Sequence, residues 1–186
     1  MNSPAAIKAE LSPSLHIRCA RETDAAILCA AERETARVPG RLLSQPQELH
    51  EAAFARKIDE LAGAGSYLVV ERGGTIVAHG LLEPAGTVAA LAHVRTLTIV
   101  VHPGHTGQGT GRVLLRALLN WARANASVER IELRVRAGNE AAIRLYTTCG
   151  FREESRFRKR VRLADGSYAD DIGMTWFSSQ TDGSVS

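Results

Sequence analysis

The chain has 186 residues, of which 45% are hydrophobic and 23% charged. That is the balance of an ordinary soluble globular protein, with enough chain to bury a core without disulfides or a structural metal. No stretch approaches the roughly 20 apolar residues of a membrane-spanning helix, so no membrane partner is expected. Cys19, Cys29 and Cys149 lack metal-ligand spacing, which argues for reduced thiols and no metal.

Residues 1–14 and 178–186 are polar and aperiodic and read as flexible tails around a single domain over 15–177. The first tail has no signal-peptide core, so a cytoplasmic location is expected. His16 to Cys19 begins a short strand. Thr23 is placed to cap a helix from Asp24 to about Arg37, which "VPG" breaks, and Ser44, with Gln47 three residues on, to cap a second helix running to Leu61. Tyr67 to Glu71 and Thr75 to Leu82 flank Gly73-Gly74 and predict a β-hairpin. The strand "VRTLTIVV" then enters the loop "HPGHTGQGTG". Past it, Val113, Leu114, Ala117, Leu118, Trp121 and Ala122 recur at helical spacing. "IELRV" is the next strand, "NEAAIRLYTTCG" a short helix closed by Gly150, and the last two strands form a hairpin turning at Asp165-Gly166.

The glycine loop carries the chemical information. A helix that starts in such a loop aims unpaired N–H groups and the positive end of its dipole at one spot, which suits phosphate. Gly104 and Gly109 have the spacing of a nucleotide-triphosphate loop, but Thr110 and Gly111 stand where that loop needs Lys and Ser or Thr. Gly107 and Gly109 begin a dinucleotide fingerprint whose third glycine is replaced by Arg112.

A third reading fits. The segment "LTIVVHPGHTGQGTGRVLLRALLNWA" resembles the pyrophosphate-binding segment of the GNAT acyltransferase superfamily, a strand ending V-x-P, then Q/R-x-x-G-x-G/A, then a helix. "NEAAIRLYTTCGF" resembles its second signature: an Asn opening a short helix, a Tyr within it, and G-F starting the next strand. The likeness extends over about Ile17 to Phe177, with one departure, Thr106 at the first position of the loop pattern. It implies a mixed α/β fold with a central, mostly antiparallel sheet flanked by helices. It also implies an N-acetyltransferase whose cosubstrate, acetyl-CoA, lies between splayed strands.

The resemblance further implies roles for residues. Thr106, Gly107, Gln108, Gly109, Thr110, Gly111 and Arg112 would receive the pyrophosphate, and the free edge of Ile99, Val100 and Val101 the pantetheine arm, with the Ile99 N–H facing the thioester oxygen. Tyr146 would donate to the departing thiolate, and Asn139 either bonds the arm or simply caps its helix. A base is needed because an alkylamine with a pKa of about 10 is mostly protonated at neutral pH. His93 and His79 are the candidates, with a water chain as the alternative, whereas His102 and His105 are expected to cover cosubstrate. Acceptor specificity is expected around Glu32 and Arg37, the latter suited to a carboxylate.

As a strand, "SRFRKRVRL" would put Arg156, Arg158, Arg160 and Arg162 on one face, a solvated stripe partly neutralised by Asp170 and Asp171. The "D-G-x-Y-x-D" hairpin is similar to that of the branch that acylates free amino acids and small amines. The acceptor expected is therefore a small-molecule amine such as an amino acid, and a homodimer is compatible with this reading. The alternatives are a protein N-terminal or lysine acetyltransferase and, from another class, a CoA-sensing or nucleic-acid-binding module without turnover. The net charge of +3 decides none of these.

Overall fold

The computed structural model describes residues 14–163 and 165–178, so the two expected tails lie almost wholly outside the described residues. Seven strands form one sheet: β1 (Leu15–Cys19), β2 (Ser66–Arg72), β3 (Thr75–Pro84), β4 (Val94–Val101), β5 (Arg130–Arg136), β6 (Arg152–Arg162) and β7 (Tyr168–Phe177). Their order is β1-β2-β3-β4-β5-β7-β6, antiparallel throughout except for the parallel pair β4–β5. Four helices flank it: α1 (Ala25–Ala36), α2 (Glu51–Ala64), α3 (Thr110–Ala124) and α4 (Glu140–Thr148).

Alternation along the strands sends side chains to two cores. On one face α1 and α2 cover Tyr67, Val69, Ile76 and Leu81, residues of β2 and β3 only. On the other, α3 and α4 cover Val70, Val77, Leu97, Ile131, Leu133, Val135, Ile172, Met174 and Trp176. The β5–β7–β6 end thus keeps its α1-side face free of a helix-covered core. α3 buries Leu114, Leu115, Leu118, Leu119 and Ala122, while Val113 is 37% exposed. The expected stripe is turned toward Leu115 and Leu119, because a helix laid on a sheet buries adjacent pairs on each turn.

Both predicted caps move. A short 3₁₀ turn, Glu22–Asp24, precedes α1, and Asp24 rather than Thr23 takes the capping role: its carboxylate accepts from the Arg21 N–H at 2.7 Å. Arg18 holds that carboxylate with two nitrogens, at 2.7 and 2.9 Å, and reaches Glu71 at 2.8 Å. Ser44 does not start α2. Pro46–Glu48 forms a separate 3₁₀ turn closed by the Gln45 N–H to Glu48, and α2 begins at Glu51.

The β6 pattern is also interrupted. The register shifts between Phe157 and Val161, around Lys159 at φ 51°, so the four arginines do not share a face. Arg160 comes to the side of Phe157, 5.5 Å from its ring, with Arg134 5.0 Å away. No described helix is long and apolar enough to cross a membrane.

Candidate active site

β4 and β5 pair only at Val94, Arg95 and Thr96 with Arg130, Ile131 and Glu132, although β4 runs on to Val101 and β5 to Arg136. Beyond Thr96 and Glu132 the strands part and leave a wedge. On its other edge β4 is paired with β3 along its length. The His102 N–H donates to Val77 O at 2.9 Å, and Val94 O accepts from Ala85 at 3.2 Å. Antiparallel alternation then commits the backbone groups of Thr98 and Val100 to β3, and turns those of Leu97, Ile99 and Val101 into the wedge. Of the expected edge, Ile99 and Val101 offer free amides; Val100 does not, its backbone groups being turned to β3.

The glycine loop closes the open end of the wedge. Gly104, Gly107 and Gly109 have φ of 80°, 75° and 78°, a left-handed backbone that only glycine takes without strain. The N–H groups of Gly107, Gln108, Gly109, Thr110 and Gly111 have no acceptor among the described residues, while Arg112 N–H bonds back to Gly109 O at 3.0 Å. A Cβ at Gly107 or Gly109 would meet no atom within 4 Å. Free donors facing open space at the start of a 15-residue helix fit a diphosphate. Gly111 differs: a Cβ there would touch Leu145 and Val101 at 3.3 Å, so this glycine lets α4 and β4 close on the first turn of α3. Thr106 is exposed and adds no hydrogen bond among the described residues.

Arg72, at the end of β2, carried no sequence signal beyond its place before a turn. It donates to the Gln108 side-chain oxygen and, at 3.3 Å, to Thr110 Oγ1, while Gln108 donates to Gly104 O at 3.2 Å. Gln108 and Thr110 therefore brace the loop through their side chains and present their backbones.

The ring of Tyr146 is buried in the α3–α4 core, 5.7 Å from that of Phe151, and burial pushes its pKa up to about 12. Its O–H has no partner among the described residues and is not sealed from solvent. Asn139 caps α4, its side-chain oxygen accepting from the Ala142 N–H at 3.3 Å, so the capping explanation holds for that oxygen.

A chain of buried polar groups, not legible in the sequence, crosses from the sheet to α1. His102 Nδ1 is 3.0 Å from Ile76 O, His102 Nε2 is 2.9 Å from His79 Nδ1, and His79 Nε2 is 2.9 Å from Glu32 Oε1. A carbonyl can only accept, so His102 carries its proton on Nδ1. Burial, with His79 beside it, pushes the His102 pKa down to about 4 and keeps it neutral. Its bare Nε2 must then accept from His79 Nδ1–H, which leaves His79 Nε2 and the Glu32 carboxylate facing each other as two acceptors with room for one proton between them. His79 is 0% exposed and Glu32 reaches the surface. His102 accordingly belongs to the interior rather than to a cosubstrate cover.

His93 stands elsewhere. It precedes the paired stretch at the closed end of the wedge, where its carbonyl accepts from Glu129 and Arg130 at 3.0 and 3.2 Å. Three paired residues, about 10 Å of strand, separate it from the point where the strands part. The structure sets His93 at the opposite end of β4 from the glycine loop. Arg37 lies at the end of α1, ion-paired with Glu34, and lines a cleft of about 540 Å³ with His102 and His105. Arg33, which the sequence did not single out, pins the α1–α2 connection by donating to Leu49 O at 3.0 and 2.6 Å. No cluster of three or more His, Cys, Asp or Glu suited to a metal occurs among the described residues.

A cradle of free backbone amides, a free strand edge beside it and an unpartnered phenol suit the binding of an extended, phosphate-bearing donor. Residues 30–151 match the model of the acetyltransferase (GNAT) family, and the chain belongs to that family. It is an acetyltransferase, with acetyl-CoA as its cosubstrate. The chain is 36% identical over 114 residues, 61% of its length, to the N-alpha-acetyltransferase RimI of Mycobacterium tuberculosis, of which it spans 67%, and it spans 31% of a Mycobacterium leprae relative. Its fold matches that of Salmonella typhimurium yncA, determined with acetyl-CoA, at a TM-score of 0.82 and 19% identity over 90% of this chain and 95% of that one. A phosphinothricin acetyltransferase from Sinorhizobium meliloti, in complex with acetyl-CoA, matches at 0.80 and 18% identity over 88% of each chain.

Proposed function

We propose that the enzyme acetylates the primary amine of a small molecule, with an α-amino acid as the preferred acceptor, through a domain formed by residues 15–177. The observation that carries this is the Glu34–Arg37 pair on the 540 Å³ cleft beside His102 and His105. That volume lies within the range of small-ligand sites, about 300–1,000 Å³. A carboxylate and a guanidinium side by side match the ammonium and carboxylate of an amino acid.

Acetyl-CoA supplies an activated acetyl thioester. In this reading the amides of Gly107 to Gly111 hold its diphosphate, and the free edge of Ile99 and Val101 orients its arm. The Ile99 N–H receives the negative charge that develops on the carbonyl oxygen. The Glu32–His79 pair takes the proton of the incoming ammonium, and the Tyr146 O–H donates to the departing sulfur.

A protein α-amine is the second reading, favoured by the likeness to an N-alpha-acetyltransferase. A nucleic-acid role has less support, because Arg156 is engaged by Glu153 and Asp170, and Arg160 by Asp171 and Phe157. The deciding experiment measures CoA release with free amino acids, their carboxamides and short peptides with free N-termini. Free amino acids should turn over fastest, and Arg37→Ala should raise KM for them far more than for the carboxamides. Faster turnover of peptides, with Arg37→Ala neutral, would select the second reading.

A further inference from the structure

Among the described residues Arg95 has no counterion. Its side chain is 7% exposed, on the α3 face of β4, and Nη1 donates to Ala92 O at 2.7 Å and Val94 O at 3.0 Å. Its Nε has no acceptor, and no bond is made by Nη2 among the described residues. Burial lowers its pKa and no described carboxylate raises it again. An unpaired buried charge is costly, and arginines almost always meet that cost with an anion.

The satisfied nitrogen leaves one edge of the guanidinium without an acceptor among the described residues, the side bearing Nε–H and Nη2–H, which is a fork that a carboxylate fills with two parallel bonds. Arg95 lines a cleft of about 360 Å³ between the C-terminal part of α3 and the β3–β4 connection. Pro84, Val88 and Trp121 supply apolar wall, and Asn125 and Ser127 a polar lip. Val88 is 58% exposed, an apolar side chain with nothing over it. The cleft is not the acetyl-CoA site: six residue steps along β4, about 20 Å of strand, separate Arg95 from Val101 at the glycine loop.

We propose that this cleft is a second ligand site, taking a small organic acid whose carboxylate pairs side-on with Arg95 and whose apolar body lies against Trp121 and Val88. The alternative is that Arg95 only clamps the carbonyls of Ala92 and Val94.

The test titrates hexanoate and benzoate, with hexanamide and benzamide as uncharged matches, into the enzyme already saturated with acetyl-CoA. Calorimetry gives affinity, and the Trp121 indole N–H resonance, assigned by Trp121→Phe, gives location. The acids should bind at least about tenfold more tightly than the amides, the worth of a charge-assisted pair, and should move the Trp121 resonance. Arg95→Lys should weaken them about tenfold, since an ammonium cannot form the fork, and Arg95→Met should abolish binding while acetyl-CoA affinity is retained. Equal affinity for acid and amide, no binding at millimolar acid, or unchanged affinity in Arg95→Lys would reduce Arg95 to a clamp. If Arg95→Met fails to fold, the acid–amide contrast and Arg95→Lys still decide.

Discussion

His79 Nε2 stands 2.9 Å from Glu32 Oε1, and that contact is the surface outlet of a buried chain whose inner end is fixed by the Ile76 carbonyl. If the pair accepts the proton of the acceptor amine, Glu32→Gln should lower kcat/KM at neutral pH by about 10²-fold, the lower end of general-base assistance. The glutamine amide can donate to His79, so the fold should survive. The two pH–rate profiles should converge as the pH approaches the pKa of the acceptor, where the amine is already free. A constant ratio across that range would assign Glu32 a binding role.

His102 makes stability depend on pH. Its pKa is pushed down to about 4 in the fold, against about 6.5 for an unperturbed histidine. Between those values the unfolded chain binds a proton that the folded chain refuses. Stability is therefore full above pH 6.5 and falls as the pH drops toward 4, by about 3 kcal/mol over the window. Denaturation at a series of pH values should show this slope, and His102→Asn, whose amide can still donate to Ile76 O and does not titrate, should remove most of it.

Tyr146→Phe should reduce turnover by about 10²- to 10⁴-fold while leaving acetyl-CoA affinity nearly unchanged, because the hydroxyl acts only as charge develops on sulfur. The buried ring keeps its packing against Phe151 in the variant. An undiminished rate with a good acceptor would leave the phenol a packing role alone.

The loop gives separable effects. Gly107→Val or Gly109→Val fills the space in front of the free amides and should weaken acetyl-CoA binding by calorimetry at least about tenfold, by displacing charge-assisted bonds. Gly111→Ala should act first on melting temperature, because its methyl meets Leu145 and Val101. Arg72→Ala releases Gln108 and Thr110 and should weaken the cosubstrate without altering the preference among acceptors.

What the sequence disclosed was local. The eight residues of β4, the double-glycine hairpin and α4 with its Asn139 cap all follow from alternation, turn chemistry and capping within a few residues. The start of α2 was misread because Ser44 and Gln47 satisfy a capping pattern that Gln45 and Glu48 use for a different turn. The β6 arginines were misplaced because the bulge at Lys159 leaves no mark in an alternation count. The proton chain was out of reach for another reason: its contacts join residues 23 and 47 positions apart, and each histidine alone had an ordinary surface or structural role. His93 drew notice by lying beside a strand, and only the extent of β4–β5 pairing places it at the closed end of the wedge.

The early parting of β4 from β5 has a mechanical consequence. Two antiparallel ribbons, β1 to β4 and β5 to β7, meet in a ladder of three register pairs, so the sheet is incomplete at its middle. An extended amide-bearing chain seated along Ile99 and Val101 would serve as an eighth, non-peptide strand, and loading the donor would finish the folding of the sheet. Cosubstrate at one hundred times its Kd should then add about 2.7 kcal/mol to global stability, and hydrogen exchange at the Ile99 and Val101 amides should slow on loading while that at Val100 changes least.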